Sequence, residues 1–241
     1  MAATNKQTVL KTLVVLIVVI SFLWSRYQGV GVGRERGSAG FAEDHGETAV
    51  HASEGELSLS RVRLDSAHYE VWDDCIMLDH RGNDGDSFHI QAPHGREEIR
   101  LYYVDAPESA ARTYRDGNTN FKRIAQQGAA LGDLDRAETT SLGMAAKAFV
   151  KELLDGKRFK VVTRGERVYG SHRKYAFVVV DWERQLHYLH ELIVLQGLGR
   201  IHTKPAQLPD NTTVSEQKNH LYKLQAYAKN MRYGAWGLSV N

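Results

Sequence analysis

Asp84, Asp86, Arg100, Asp105 and Glu108 crowd one part of the chain, in and beside segments whose apolar residues alone would make strands. In NDGDS (83–87) two aspartates flank Gly85 at the start of one such segment. In IRLYYVDAPE (99–108) Arg100 lies within the strand and Asp105 closes it. Glu108 follows Pro107, which lacks an N–H for the ladder and forces the chain out of the sheet. Taken alone, NDGDS is an ordinary turn, since Asn, Asp and Gly favour turns. Taken together, carboxylates at the start of one strand and the exit of its neighbour could converge on one hard cation. Calcium suits such a set, because it takes roughly six to eight oxygen ligands in irregular geometry. Zinc suits it less: there is no HExxH, and His187 and His190 of HYLHE read as ordinary helix residues. Arg100 stands five positions before Asp105, and strict alternation would put the two on opposite faces. Only a bent or bulged strand brings both to one site. Otherwise Arg100 is a long side chain lying along a strand edge.

A second group of residues lies in KRFKVVTRGERVYGSHRK (157–174), where Lys and Arg far outnumber the single Glu166. A charge run is usually a solvated face. Here it surrounds a hairpin whose tip offers Tyr169, Arg173, Lys174 and Tyr175. Cations for phosphates beside aromatic rings for bases are the composition of a single-strand nucleic-acid groove.

The elements that must position these groups follow from periodicity. Segments 69–78, 87–92, 99–104, 158–163 and 175–180 are short, β-branched and aromatic, and bounded by Gly, Pro, Asn or Asp, which predicts five strands. Leu142, Ala145, Ala146, Phe149, Val150, Leu153 and Leu154 fall on one helical face, with Gly156 as a stop. A second helix is predicted over about 187–196. A third opens on a capping box of Thr213 and Glu216. Three strands, a helix, two strands and two helices is the order of an OB-type barrel, an α+β fold used for nucleic acids and oligosaccharides.

The remaining sequence bounds the class. A chain of 241 residues with 42% hydrophobic content suits one domain with appendages. Its single cysteine, Cys75, excludes an internal disulfide framework. The formal charge of +2 is weak ground for an anionic partner. Lys6 and Lys11 precede LVVLIVVISFLW (13–24), the two parts of an export signal or a retained anchor, so residues 1–24 are expected to take the domain out of the cytoplasm: secreted, periplasmic or membrane-anchored. Residues 25–65 have linker composition, and 66–238 form the expected domain.

DGDSFHI, IRLYYVDAPE, RKYAFVVVD, ELIVLQGLGR and LQAYAKNMRYGAW, in this order, resemble the staphylococcal-nuclease-like (thermonuclease) family over roughly residues 68–237. The resemblance implies a five-stranded OB-fold barrel with three helices. It places metal carboxylates on Asp86 and Asp105, a ligand carbonyl on Ala106, and Asp84 close by. It implies phosphate-gripping arginines at Arg100 and Arg173, and a general base or water-orienting group at Glu108. The expected activity is calcium-dependent hydrolysis of DNA or RNA with little sequence preference, leaving 5′-hydroxyl and 3′-phosphate ends, by a monomer. The sequence departs from the family at Ile201 and Thr203, where tyrosines precede the Lys-Pro pair in its best-known members, and in a long 109–138 stretch, whose RTYRDGNTNFKRI (112–124) could form an extra basic helix beside the site. Two other classes stay open: an OB module that binds nucleic acid or oligosaccharide without turnover at the cell surface, and a tethered partner-binding domain.

Overall fold

The structure, a computed structural model, describes residues 58–65 and 67–238. The apolar stretch 13–24 and the linker through 57 lie outside the described residues. Within the rest of the expected linker, Leu59, Val62 and Leu64 pack against the core, so the domain takes in chain before residue 66. No helix among the described residues is long and apolar enough to cross a membrane.

Five strands close the barrel: β1 (Glu70–Met77), β2 (Ser87–Ala92), β3 (Gly95–Leu101), β5 (Phe159–Arg167) and β6 (Lys174–Trp182). They run in the order β3-β2-β1-β5-β6, and β3 pairs in parallel with β6 to complete the ring. A bulge between Trp72 and Cys75 lets β1 turn while both side chains stay buried. The interior is apolar and aromatic. Phe177 lies at its centre, with the rings of Tyr69, Tyr102, Tyr188 and His190 at 4.8–5.9 Å. Each such fully buried side chain contributes about 1.5–3 kcal/mol.

The segment expected as one strand over 99–104 is broken in two. β3 stops at Leu101, and β4 (Val104–Asp105) pairs instead with β8 (Arg200–Ile201). Between them the Val104 N–H donates to the Tyr102 carbonyl at 2.8 Å, and Tyr103 takes φ 68°. This is a γ-turn of the strained, positive-φ kind, on an aromatic residue. Packing holds it in place: Tyr103 is fully buried, its hydroxyl donates to the Ala206 carbonyl, and its backbone bonds to residues 202–204.

The long helix, α2 (Arg136–Leu154), covers the barrel with the predicted apolar face and starts on a capping box of Asp135 and Glu138. α4 (Val214–Asn230) starts on the predicted box of Thr213 and Glu216. The helix expected from about 187 begins only at Leu189, as α3 (Leu189–Leu195). His187 is therefore a strand residue. It belongs to β7 (Gln185–Tyr188), which pairs with the part of the β6 edge that β3 leaves free. The hairpin turns on Glu183 and Arg184, both at positive φ (53° and 66°), the conformation that two-residue hairpins require. Neither residue is a turn former by type, so the sequence carries no warning of it. Besides the three expected helices there are α1 (Phe121–Ala130), inside the long stretch after β4, and the short α5 (Ala235–Leu238).

α3 and α4 enclose a polar knot. Glu191 is fully buried and accepts from Ser60 N (2.9 Å) and Gln217 Nε2 (2.8 Å), with His220 Nε2 at 3.6 Å. Burial works against its charge, but His220, His190 and Ser60 together hold its carboxyl at about 2. Burial holds the neighbouring His190 down at about 4, from an ordinary 6.5. The unfolded chain thus takes up a proton at residue 190 near pH 6.5, while the folded one resists until about pH 4. Stability from this group is complete above pH 6.5 and falls by on the order of 3 kcal/mol as the pH drops towards 4. Glu191 extends the loss from about pH 4.5 towards 2. Urea denaturation of the parent and of His190→Gln at pH 7, 5.5 and 4.5 checks this, with the parent midpoint expected to fall relative to that of the variant at each step, a comparison in which the opposite effect of Asp84 is common to both.

Candidate active site

The γ-turn at Tyr103 resolves the parity conflict. Because it reverses the alternation, Arg100 and Asp105 face each other, with Arg100 Nη2 2.7 Å from Asp105 Oδ1 and 3.2 Å from Asp86 Oδ2. Asp86 arrives from the loop before β2, and its Oδ2 also accepts the Ala106 N–H at 2.9 Å. Two glycines permit these approaches. A Cβ on Gly85 would lie 2.8 Å from the side chains of both Ala106 and Ala146. One on Gly143 of α2 would lie 2.5 Å from the carbonyl oxygens of both Pro107 and Glu108.

The result is a cleft of about 180 Å³ lined by Asp84, Asp86, Ser87, Arg100, Ala106, Glu108, Arg123 and Arg173, among others. Ser87 couples its arginines. The hydroxyl accepts from Arg100 Nη1 at 3.4 Å and from Arg173 Nη1 at 3.3 Å, and donates to Asp86 Oδ1 at 2.9 Å. Two guanidinium groups thus meet on one oxygen. A phosphate entering the cleft meets both together.

Asp105 does not line this cleft; it is fully buried behind it. Oδ1 accepts from Arg100 and from Arg123 Nη2 (2.6 Å), and Oδ2 from Arg200 Nε (2.8 Å) and Gln127 Nε2 (3.0 Å). Burial alone would raise its pKa; Arg123, Gln127, Arg200 and Arg100 together hold it below the usual carboxylate range. Asp84 and Asp86 show the opposite. Burial, then the charges of Asp86 and Glu108, pushes Asp84 up to about 7. Burial raises Asp86 too, and the Asp105 charge adds to this against the pull of Arg100.

Among the described residues no three His, Cys, Asp or Glu side chains form a closed metal cage. The oxygen-only donors Asp84 and Asp86 nevertheless fit a hard cation: both line the cleft, and the charge of Asp86 bears directly on Asp84, a repulsion that a cation between them would relieve. Asp105, with two donors on each oxygen, could join them only by releasing Gln127 or an arginine, whereas the Ala106 carbonyl accepts from Gln127 and keeps a second lone pair.

A family model described as staphylococcal nuclease homologue matches residues 98–237, more than half of the chain. The chain belongs to this family. Among curated proteins, none matches it. Membership in the staphylococcal nuclease homologues points to nuclease-type chemistry in general. The matched span holds Arg100, Asp105, Glu108 and Arg173; Asp84 and Asp86 precede it, and the fold brings them in.

Three residues expected to bind substrate lie outside this cleft. Tyr169 is fully exposed at the tip of the β5–β6 hairpin. Lys174 pairs with Glu97 (2.7 Å) near the Trp72 ring. Tyr175 stacks on Tyr102 at 5.3 Å. None of them lines the cleft. Strand alternation explains Lys174, which directly follows Arg173 and so faces the other way, whereas Tyr175 packs against the core on the Tyr102 ring.

Conversely, Asn120, Arg123, Gln127 and Arg200 hold the site but are not among the predicted site residues, although Arg200 lies in a family motif. Arg200 closes the ELIVLQGLGR stretch, and only the β4–β8 pairing sets it opposite Asp105. Gln127 is fully buried, accepting from Glu108 N and donating to Asp105 and the Ala106 carbonyl, each at 3.0 Å.

Gly143→Ala tests the close approach of α2. Helix propensity favours Ala by about 1 kcal/mol, but the added methyl meets two backbone oxygens that cannot rotate away. Overpacking should win, with a net loss of about 1–3 kcal/mol. Displacement of Glu108 should slow turnover about 100-fold. Melting and cleavage assays on the variant read the two effects separately.

Proposed function

We propose that this chain is a metal-dependent phosphodiesterase that hydrolyses DNA or RNA with little sequence preference and leaves 3′-phosphate ends. What supports it above all is one cleft in which Arg100 and Arg173 meet at Ser87 beside Glu108. A phosphodiester repels nucleophiles, and attack by water builds further negative charge on its oxygens. Arg100 and Arg173 lie where that charge develops, and their planar forks match two phosphate oxygens. Glu108, at the cleft wall, directs water and accepts its proton. Asp86 and Asp105 hold Arg100 from two sides, so the guanidinium is oriented before substrate arrives. Calcium on Asp84 and Asp86 would supply the further positive charge that this step needs.

The neutral face of the substrate is less constrained. Ile201 and Thr203 offer no ring on which a base could stack, which suits low base preference. Export or tethering through residues 13–24 and action as a monomer belong to the same proposal.

Digestion of single-stranded DNA by the purified chain, in calcium and then in a chelator, tests this function. Cleavage should depend on the metal. Equal cleavage in both conditions, or none in either, would contradict it.

A further inference from the structure

Arg123 sits in the first turn of α1, on the long stretch between β4 and α2 that none of the family motifs includes. Its Nε donates to Glu108 Oε1 at 2.7 Å, while Nη2 of the same plane donates to Asp105 Oδ1 at 2.6 Å. One rigid fork therefore ties the cleft-wall glutamate to the buried aspartate. The other Glu108 oxygen, Oε2, accepts from Asn120 Nδ2 at 3.2 Å. Asn120 occupies the N-cap of α1, yet its side chain makes no capping bond; it is committed to Glu108 and the Ala110 carbonyl instead. One turn beyond Arg123, Gln127 accepts the Glu108 N–H. Positions 120, 123, 124 and 127 lie on one face of a helix, and Ile124, fully buried, seats that face. The main chain and both carboxylate oxygens of Glu108 are thus all held by α1.

We propose that Arg123 is a positioning residue for Glu108, and that α1 exists in this chain to hold the glutamate in the geometry that hydrolysis requires. The inference rests on the phosphodiesterase reading and deepens it. A glutamate has three rotatable side-chain bonds, and a carboxylate displaced by about 1 Å loses on the order of 100-fold in rate. Asp105 supplies the fixed point, because Arg100, Arg200 and Gln127 hold it independently of Arg123.

The alternative role for an arginine lining this cleft is a third grip on phosphate, and a double-mutant cycle separates the two. Arg123→Ala should lower kcat about 10- to 100-fold with KM little changed. In a Glu108→Gln background the same change should cost almost nothing further, because the group it positions no longer takes a proton. Arg123→Lys should recover only part of the rate, since an ammonium cannot span both carboxylates. This milder variant runs the same cycle if Arg123→Ala does not fold. Losses that multiply across the cycle, or a rise in KM at constant kcat, would overturn the inference and leave the phosphodiesterase reading standing. A lower melting temperature with kcat per folded molecule unchanged would overturn it equally. A wild-type chain inert with every divalent metal would overturn the parent reading and this inference with it.

Discussion

Glu108→Gln is expected to lower kcat for phosphodiester hydrolysis by about 10² to 10⁴, or roughly 3–5 kcal/mol in the barrier, while KM changes little. The amide keeps the length and shape of the carboxylate. Its oxygen can still accept from Arg123, and the segment 105–108 keeps its backbone bonds to Gln127 and Asp86. Substrate affinity rests on Arg100 and Arg173, neither of which donates to Glu108. What the variant lacks is a site for the proton that water must give up. Steady-state kinetics with an unchanged melting temperature would assign the loss to chemistry. A variant as fast as the parent would remove Glu108 from the mechanism.

Asp105→Asn should act on stability as well as on rate. Asp105 is fully buried and takes four hydrogen bonds, three of them from guanidinium groups, and Arg100 and Arg200 are themselves only 11% exposed. The carboxamide offers one oxygen where the carboxylate offers two, and its NH2 would point at donors. Three positive charges lose their shared counterion, two of them where water hardly reaches. Breaking a buried pair on one side costs about 3–5 kcal/mol, a large part of the ~5–15 kcal/mol that holds a domain together. Arg100 and Arg123 lose their orientation at once, so cleavage should be abolished even in the molecules that fold. Chemical denaturation and activity on the same sample measure both. A variant of native stability would mean that the arginines around Asp105 are already compensated elsewhere.

How far the sequence foretold this site depended on whether residue type or backbone geometry decided the matter. Asp86, Arg100 and Glu108 stand out because charges in and beside apolar strands are unusual, and Arg173 because of its basic hairpin and the family resemblance; all four line the cleft. The capping box at Thr213 and the apolar face of α2 were legible for the same local reason. The turn at Tyr103 was not. Positive φ on an aromatic residue follows from tertiary packing, which no local preference encodes. That turn nevertheless decides whether Arg100 and Asp105 can meet. Glu183 and Arg184 hide the β7 hairpin in the same way, so the sequence predicts a helix where His187 is a strand residue. The partners of Asp105 were hidden for another reason. Arg123, Gln127 and Arg200 come from α1 and β8, and only their meeting at one carboxylate gives them meaning. A basic hairpin tip, by contrast, looked functional by composition, yet Tyr169, Lys174 and Tyr175 stand away from the cleft.

The most direct test of the central claim is to incubate a 5′-labelled single-stranded oligonucleotide with the full chain in calcium, running Glu108→Gln alongside. The proposed function predicts a ladder of fragments ending in 3′-phosphate, formed by the parent and nearly absent with the variant. An oligonucleotide that is bound yet stays intact, or is cut equally by both proteins, would contradict it.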